Sequence, residues 1–285
     1  MNYRHAYHAG NFADVVKHTI LLRVIAYLQR KDAGILMLDT HAGIGRYDLS
    51  SAQAQKTNEA DLGIGKFFAH PTPFAAEIER LFKAYKGIVN ALNEGEAIRT
   101  APGSPEILSC SRRPQDRCVF NELHPEDCAT LASNYAGKKK IEIAQMDAWT
   151  ALRAKLPPAE KRGLVLIDPP FEKTTEADDL LLGVYEALRR FSTGTYLIWY
   201  PLKDSHMSAQ LRRGVEHLPV SGALDTQLHV SQPHEGRFHG TGMIILNPPF
   251  TLFDELQLLL PALAKRLSVR PDRGNWATAW LIRPK

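Results

Sequence analysis

The fold of this chain is constrained most by one short apolar run. This run of five residues ends abruptly in an acidic residue and two prolines. Residues 163–167 are apolar and mostly branched, which predicts a buried strand. Asp168-Pro169-Pro170-Phe171 follows directly, and because two prolines fix φ and lack N–H donors, the strand stops there in a rigid turn. A carboxylate, carbonyl acceptors and a ring at a strand's carboxyl end suit a flipped nucleobase with an exocyclic amine.

Three further predicted strands end in groups that can bind a ligand: 35–39 before the loop of Gly43 and Gly45, 117–122 at Glu122, and 141–146 at Asp147. Glycines allow close backbone approach to a ligand, and a carboxylate after the second strand of a dinucleotide-type fold accepts bonds from ribose hydroxyls. The loop reads Asp-x-x-x-Gly-x-Gly, with neither a third glycine nor a lysine. It is therefore a poor phosphate cradle.

These strand ends together indicate the chemistry of a cofactor. In a doubly wound sheet the first and fourth strands are neighbours where the strand order reverses, so a cofactor lying over strands one to three presents its reactive end to Asp168. Acidic strand ends repel phosphates but suit ribose hydroxyls and an adenine amine. S-adenosylmethionine matches that description, whereas NAD and ATP do not.

The helices frame this edge of the sheet. Asn11 is expected to cap a helix that runs to about residue 30, and Ser104 to cap a short helix with Pro105 in its first position. Lys17 and His18 lie off the centre of the first helix's apolar stripe, so they either point into a site or are two solvated surface residues. Residues 51–101 interrupt the alternation of strands and helices, and we interpret them as a helical insertion in a single domain covering 1–285.

Composition narrows the class of protein. The net charge is +4 and the pI about 8.9, which is compatible with nucleic acid. Three cysteines without Cys-x-x-Cys spacing suit a reducing compartment, and no run approaches membrane-spanning length. Histidines 229, 234 and 239 are five residues apart. Metal-binding histidine pairs more typically stand about three to five residues apart with a carboxylate or thiol partner, so we interpret the segment as a polar hairpin loop and expect no metal. We expect a cytoplasmic monomer.

The motif around Asp168 resembles the (Asp/Asn/Ser)-Pro-Pro-aromatic motif of methyltransferases that act on adenine N6. Four further segments extend the resemblance to the bacterial RlmJ family: 3–18, 39–47, 102–105 and 121–125. The resemblance implies an α/β, Rossmann-like class I S-adenosylmethionine-dependent methyltransferase fold with an inserted helical subdomain. It also implies methylation of adenine N6 at one position of 23S rRNA.

The resemblance also assigns residues to the site. Its cofactor contacts carry over to His18, His41, Ser104, Glu122, Asp147, Ala148 and Asp168, and the glycine loop adds Gly43. Asp168 and the Pro169 carbonyl would accept the two amine N–H bonds of adenine, and Phe171 would stack on the base. Tyr3 is the implied substrate contact, and Arg4 and Lys17 are expected to meet phosphates. The family commonly has tyrosine at the position of Phe171, so a hydroxyl contact is lost.

Two other functions remain open on the sequence: a DNA adenine-N6 methyltransferase with the same site, and a catalytically silent RNA-binding protein with the same fold. The acidic residues at the strand ends are intact, which argues against a catalytically silent protein. A second copy of the motif, Asn247-Pro248-Pro249-Phe250, follows a predicted strand at 242–246. This is the seventh predicted strand and is expected away from the first, so its prolines are interpreted as merely ending the strand.

Overall fold

The fold is organised by one large sheet in the computed structural model, which describes residues 4–70, 72–95, 97–173, 175–232, 238–270 and 274–284. Tyr3 and the middle of the predicted 229–239 loop lie outside these residues. The strands are β1 (Leu36–Asp39), β2 (Arg46–Asp48), β3 (Thr100–Pro102), β4 (Arg117–Asn121), β5 (Ile141–Ala144), β6 (Gly163–Ile167), β7 (Thr195–Leu202), β8 (Ala223–His229), β9 (Gly240–Leu246) and β10 (Asn275–Ile282).

Helices cover both sides of this sheet. They are α1 (Phe12–Leu28), α2 (Ala52–Thr57), α3 (Lys66–Ala69), α4 (Ala76–Leu92), α5 (Ser104–Ser111), α6 (Pro125–Asn134), α7 (Ala148–Lys155), α8 (Glu176–Arg190), α9 (Ser205–Val215) and α10 (Leu252–Leu267). A short 3₁₀ turn, His5–Tyr7, precedes α1, and a π turn, Asp61–Gly65, precedes α3. Successive residues of β1 point to opposite sides, so Met37 joins the core with α1 while Leu36 and Leu38 join the core with α8.

The sheet order is β10-β8-β9-β7-β6-β1-β4-β5. Strand β1 pairs in parallel with β4 on one side and with β6 on the other, so the strand order reverses beside β1. Strand β6 is the fourth strand of this sheet along the chain. Because it pairs with β1, the prediction that the first and fourth strands are neighbours is confirmed. Strand β9 runs antiparallel to both β7 and β8. Because of this reversal, β9 ends at the edge where the parallel strands begin.

Helix α1 begins as predicted, but every residue from 13 to 22 is buried, on all sides of the helix. The side chain of Asn11 accepts a hydrogen bond from the Asp14 amide at 3.0 Å, which confirms the N-cap. The predicted single apolar stripe is wrong, because α4, α10 and the π turn pack against α1 in addition to the sheet. Lys17 and His18 are consequently only 4% and 1% exposed, which excludes the interpretation as solvated surface residues.

The segment between β2 and β3 is mostly helical. These two short strands pair antiparallel, with Tyr47 opposite Ala101, and α2, the π turn, α3 and α4 lie between them. Side chains of this segment, including Phe67 and Phe82, belong to the same apolar cluster as α1 and β1. The segment therefore packs onto the sheet rather than forming a core of its own.

Helix α5 begins one residue earlier than expected. Gly103 occupies the N-cap position with extended backbone, Ser104 is already helical, and Pro105 lies in the first turn. The predicted capping role of Ser104 is therefore wrong, although the proline is in the position that favours a helix start. The start of α5 lies at the carboxyl edge of the sheet, because Gly103 N donates to the carbonyl of Gly45 at 2.8 Å.

Candidate active site

Asp168 lies where two clefts meet. It follows β6 directly, beside the loop that follows β1. A narrow cleft and a wider groove share four lining residues, His5, Lys17, Asp168 and Pro170. A group bound in either cleft would therefore contact the same carboxylate.

The narrow cleft brings together most of the predicted cofactor residues. His41, Gly43, Ser104, Glu122 and Asp168 all line it. They come from four separate parts of the chain, and the parallel strands β1, β4 and β6 carry them to one edge. Gly43 has a φ of +60°, and a Cβ there would lie 2.1 Å from the Tyr47 hydroxyl. Only glycine fits this backbone, so the loop can approach a ligand closely.

Glu122 is fixed against the glycine loop. Its Oε2 accepts a hydrogen bond from Gly43 N at 2.8 Å, and its Oε1 accepts one from His124 N at 2.8 Å. Burial raises the pKa of this carboxyl, and the two backbone donors act against that rise. Each carboxylate oxygen has a second acceptor position, so Glu122 can still receive hydroxyl donors from a ligand.

Asp39 is a buried acid of this site that the sequence analysis did not single out. Its Oδ1 accepts a hydrogen bond from His41 N at 3.2 Å, while Oδ2 has no hydrogen-bond partner among the described residues. Burial raises the pKa of Asp39 to about 7, while the nearby Ser104 side chain and the His41 amide act to lower that pKa. Its place at the end of β1, just before the glycine loop, was the available signal.

Lys17 is bonded to the catalytic motif rather than exposed to solvent. Its Nζ lies 2.5 Å from Asp168 Oδ2 and 2.9 Å from Asp14 Oδ1. Burial acts to lower the pKa of Lys17, but the carboxylates of Asp14 and Asp168 outweigh it and raise that pKa. A buried ammonium held by two carboxylates is not available to a phosphate. The phosphate contact of Lys17 stays a prediction, and these two ion pairs do not favour it.

The N-terminal segment is tied to the rim of the narrow cleft. Arg4 forms ion pairs with Glu126 and, at 2.6 Å, with Asp127, which lines that cleft. His5 Nε2 lies 2.9 Å from Asp14 Oδ2, on the opposite side of that carboxylate group from Lys17. Two carboxylates compensate the charge of Arg4. These ion pairs do not favour the phosphate contact predicted for Arg4. The substrate contact predicted for Tyr3 lies outside the described residues.

The wider groove has aromatic walls and basic side chains. The Phe171 ring lies 6.1 Å from the Trp199 ring, which lies 6.3 Å from the ring of Phe238, and all three line the groove. Phe171 is only 8% exposed, so much of its ring packs in the core instead of facing a ligand. Lys173 and Lys203 also line the groove. Sequence reasoning missed Trp199 and Phe238, which had no motif to mark them.

Known proteins share this architecture. A sequence-family profile described as "Ribosomal RNA large subunit methyltransferase D, RlmJ" matches residues 32–282. The chain belongs to the RlmJ family. Proteins of Haemophilus influenzae and Escherichia coli named ribosomal RNA large subunit methyltransferase J are each 37% identical, over 283 and 286 residues, with 99% of both chains covered. A Legionella pneumophila crystal structure matches with a TM-score of 0.87 at 33% identity, covering 95% of this chain and 98% of that one.

Membership of the RlmJ family confirms the resemblance drawn from the motifs, and with the observed sheet order it establishes the predicted Rossmann-like methyltransferase fold. No helix among the described residues is long and apolar enough to cross a membrane. Within the same residues, no group of three histidine, cysteine or acidic side chains is arranged to hold a metal ion.

The narrow cleft of this RlmJ-family chain fits S-adenosylmethionine. Glu122 is a buried acceptor suited to ribose hydroxyls, and Gly43 lets the backbone approach the ligand. The one lysine that lines the cleft among the described residues is Lys17, which two carboxylates already hold. A ligand with a nucleoside but no phosphate suits these groups.

Besides Arg4, four predicted site residues among those described do not line either cleft. His18 is buried with no hydrogen-bond partner on either ring nitrogen among the described residues, and burial lowers its pKa to about 3. Asp147 is exposed and caps α7 by accepting a hydrogen bond from Thr150 N at 2.9 Å, and Ala148 is the first residue of that helix. Pro169 is buried, whereas Pro170 lines both clefts. Their roles stay predictions.

The second copy of the motif lies at the opposite edge of the sheet. Leu246, the last residue of β9, pairs with Tyr196 at the start of β7. Asn247 Nδ2 donates to the carbonyls of Ser192 and Gly194, and its Oδ1 accepts from the Ser221 hydroxyl at 3.0 Å. Asn247 thus holds two loops together, far from the clefts, as its predicted position requires.

Proposed function

We propose that this chain transfers a methyl group from S-adenosylmethionine to N6 of an adenine in 23S rRNA. The relatives in the family are named as methyltransferases of large-subunit ribosomal RNA. The observation that carries the proposal is the placement of Asp168 at the junction of a narrow polar cleft and a wider aromatic groove. One cleft can hold the methyl donor and the other the acceptor base, with one carboxylate between them.

In this proposal the narrow cleft holds the cofactor. Glu122 accepts hydrogen bonds from the ribose hydroxyls, His41 and Ser104 contact the remaining polar groups, and the loop at Gly43 lies against the nucleoside. His18, Asp147 and Ala148 are included as further contacts on the resemblance alone. When bound, S-adenosylmethionine supplies an electrophilic methyl group on a sulfonium.

The chain's own residues would prepare the adenine amine. Asp168 and the carbonyl of Pro169 accept hydrogen bonds from the two N–H groups of the amine. These bonds withdraw the nitrogen lone pair from conjugation with the ring and make the nitrogen a tetrahedral nucleophile. Lys17 holds Asp168 Oδ2 at 2.5 Å, and Oδ1 makes no hydrogen bond among the described residues. That oxygen is therefore available to the amine, and it can receive the proton that the methylated nitrogen releases. Positioning and electrostatics supply most of the rate enhancement.

The wider groove would hold the flipped base and its flanking nucleotides. Phe171 and Trp199 offer ring surface for stacking, and Lys173 and Lys203 offer charge for phosphates. Arg4 lies at the rim of the narrow cleft, where it pairs with Asp127. The substrate contact of Tyr3 is proposed on the resemblance alone. We further propose that the enzyme acts as a cytoplasmic monomer, with residues 51–101 as a helical insertion in one domain.

Transfer of labelled methyl groups tests this function. The protein is incubated with labelled S-adenosylmethionine and either deproteinised 23S rRNA or DNA of matched adenine content, and the labelled nucleoside is identified after digestion. We expect N6-methyladenosine from the rRNA alone. Labelling of DNA instead would favour a DNA adenine methyltransferase. Absence of labelling with retained RNA binding would favour a silent RNA-binding protein.

A further inference from the structure

A band of basic residues lies along the sheet edge opposite the active site. Each of the five parallel strands is preceded by consecutive lysines or arginines: Arg30-Lys31 before β1, Arg112-Arg113 before β4, Lys138-Lys139-Lys140 before β5, Lys161-Arg162 before β6, and Arg189-Arg190 before β7. Parallel strands begin at the same edge, so these residues form one surface. We call it the basal band.

Hydrogen bonds link the segments that precede β1, β4, β5 and β6. The carbonyl of Ala33 accepts bonds from both Arg113 and Arg162, at 3.1 and 3.0 Å, which joins the segments before β4 and β6 across β1. The carbonyl of Lys140 accepts from Cys118 N at 2.9 Å, which extends the contact to β5. Neighbouring strands lie about 4.8 Å apart, so the charges are close enough for one extended anion to contact several of them.

Much of this charge is uncompensated. Arg113 is paired with Asp116, and Arg189 approaches Glu186 at 3.8 Å. Among the described residues, the exposed members without an ion pair are Arg30, Lys31, Lys139, Lys140, Lys161 and Arg190. At the active-site edge, carboxylates hold Lys17 and Arg4, while Lys173 and Lys203 line the wider groove. The basal band nevertheless carries more unpaired cations than that groove among the described residues.

Helix stabilisation does not account for the whole band. Cations in the last turn of a helix interact favourably with its dipole, and Arg189 and Arg190 lie in the last turn of α8. Lys139 and Lys140, however, follow α6 by several residues, and Lys161 follows α7 in the same way. These three lysines are exposed, lie outside helices and touch no carboxylate among the described residues.

An exposed aromatic ring lies within the same surface. Phe250 is 73% exposed, and because β9 ends at this edge, its ring packs edge-on at 5.4 Å against Tyr27. The guanidinium of Arg30 lies 5.0 Å from the Tyr27 ring centroid. Aromatic and arginine planes stack on unpaired nucleobases, while surrounding lysines contact phosphates. This combination fits RNA better than an acidic protein or a lipid surface.

We propose that the basal band, together with Phe250, is a second RNA-binding surface that contacts the substrate rRNA at a distance from the target adenine. The proposal rests on the proposed function. The five residues of β6 separate the two edges by about 17 Å at about 3.3 Å per residue. A structured RNA is longer than this, since even a small duplex-binding domain contacts about 16 base pairs. One rRNA can therefore place an adenine at Asp168 and contact the band.

Charge removal tests the second surface. The test variant carries Lys139→Gln, Lys140→Gln and Lys161→Gln. The matched control carries Arg80→Gln, Lys83→Gln and Arg99→Gln, three exposed cations of the 51–101 segment. Affinity is measured for deproteinised 23S rRNA and for a six-nucleotide adenine-containing RNA over a range of salt concentrations. Methyl transfer to 23S rRNA is measured in parallel.

We expect the test variant to bind 23S rRNA at least about tenfold more weakly, with the slope of log affinity against log salt reduced by about 2–3. Binding of the short RNA, affinity for S-adenosylmethionine and the maximal methylation rate should stay unchanged, so the loss appears in KM. Phe250→Ala should weaken 23S rRNA binding without changing the salt slope.

Several outcomes would overturn the second surface. One is an unchanged salt slope; another is an equal loss in the control variant. A lowered melting temperature with unaltered RNA binding would assign the lysines to stability. Tighter binding to anionic phospholipid vesicles than to RNA would assign the band to a membrane surface. If the wild type itself methylates no RNA, the proposed function fails instead, which separates the two results.

Discussion

Asp168 owes its position to a buried cation rather than to the prolines alone. Lys17 is held between Asp14 and Asp168, and Asp14 Oδ2 also accepts a hydrogen bond from Gly10 N at 2.9 Å. The amide of Gly10 thereby fixes Asp14 at the start of α1, and Asp14 in turn positions Lys17 against Asp168. An isolated buried ammonium would be strongly destabilising, and two carboxylates offset that cost.

Glu122 provides the most direct test of the cofactor cleft. Glu122→Ala should weaken S-adenosylmethionine binding by about 1.5–3 kcal/mol, because charge-assisted bonds to the ribose are lost. Titration calorimetry measures this. Glu142→Ala is the matched control, since that carboxylate lies on β5 and pairs with Lys155 away from the cleft. Unchanged affinity in the Glu122 variant would remove this residue from the cofactor site.

His18 should make the cofactor-free protein sensitive to acid. Burial lowers its folded-state pKa to about 3, below the ordinary value of 6.5, so the unfolded chain binds the proton first. Stability is then retained above about pH 6.5 and lost as the pH falls. From pH 7 to pH 5 the contribution of this residue should fall by about 2 kcal/mol.

Urea unfolding between pH 5 and pH 7 measures that loss. His18→Gln should reduce the pH dependence, while His70→Gln, at an exposed position, should leave it unchanged. If the free energy of unfolding falls equally steeply with pH in the wild type and both variants, His18 is not the group responsible.

Asn247 shows how an identical tetrapeptide pattern can serve structure alone. Its side chain bridges the loops that precede β7 and β8, and its φ is +49°, a region where asparagine is tolerated better than alanine. Asn247→Ala should therefore destabilise the protein by about 2–4 kcal/mol, through lost hydrogen bonds and backbone strain.

Asn247→Gly separates the two contributions, because glycine removes the same hydrogen bonds without the strain. It should be less destabilised than the alanine variant by about 1 kcal/mol in chemical denaturation. Equal stability of the wild type and both variants would contradict a structural role for this motif.

The long elements were predictable because their signals are local. The strands at β1, β4 and β6, the cap of α1 and the proline start of α5 follow from apolar runs, capping residues and turn residues. Helix α7 was missed, since Asp147 was assigned to the cofactor and not to its N-cap. The short pair β2 and β3 carries too few residues for any pattern to show.

The site was predictable where it lies on strand ends and not where it depends on packing. Parallel strands bring Glu122 and Asp168 to one edge whatever covers the sheet. The fate of Lys17 depended instead on the 51–101 segment, which buries the outer side of α1. The residue spacing within α1 cannot show that a distant segment covers this helix. Lys17 was therefore predicted to contact phosphate, whereas the structure pairs it with Asp168.

The molecule as a whole separates its charges along the strand direction. Carboxylates gather at the carboxyl ends of the parallel strands, where Lys173 and Lys203 also line the wider groove. Six unpaired cations of the basal band gather at the amino ends. The acidic edge favours a cofactor without phosphates, and the basic edge favours a polyanion. Catalysis and attraction of RNA can then be altered independently by mutation.

Comparing the two copies of the motif tests the central claim most directly. Single-turnover methyl transfer to deproteinised 23S rRNA is measured for Asp168→Ala and Asn247→Ala, with S-adenosylmethionine affinity and melting temperature recorded for each. We predict that Asp168→Ala slows transfer at least about a hundredfold while remaining folded. Asn247→Ala should retain transfer at temperatures where it is folded. Loss of transfer in Asn247→Ala with full activity in Asp168→Ala would contradict both the strand assignment and the catalytic role of Asp168.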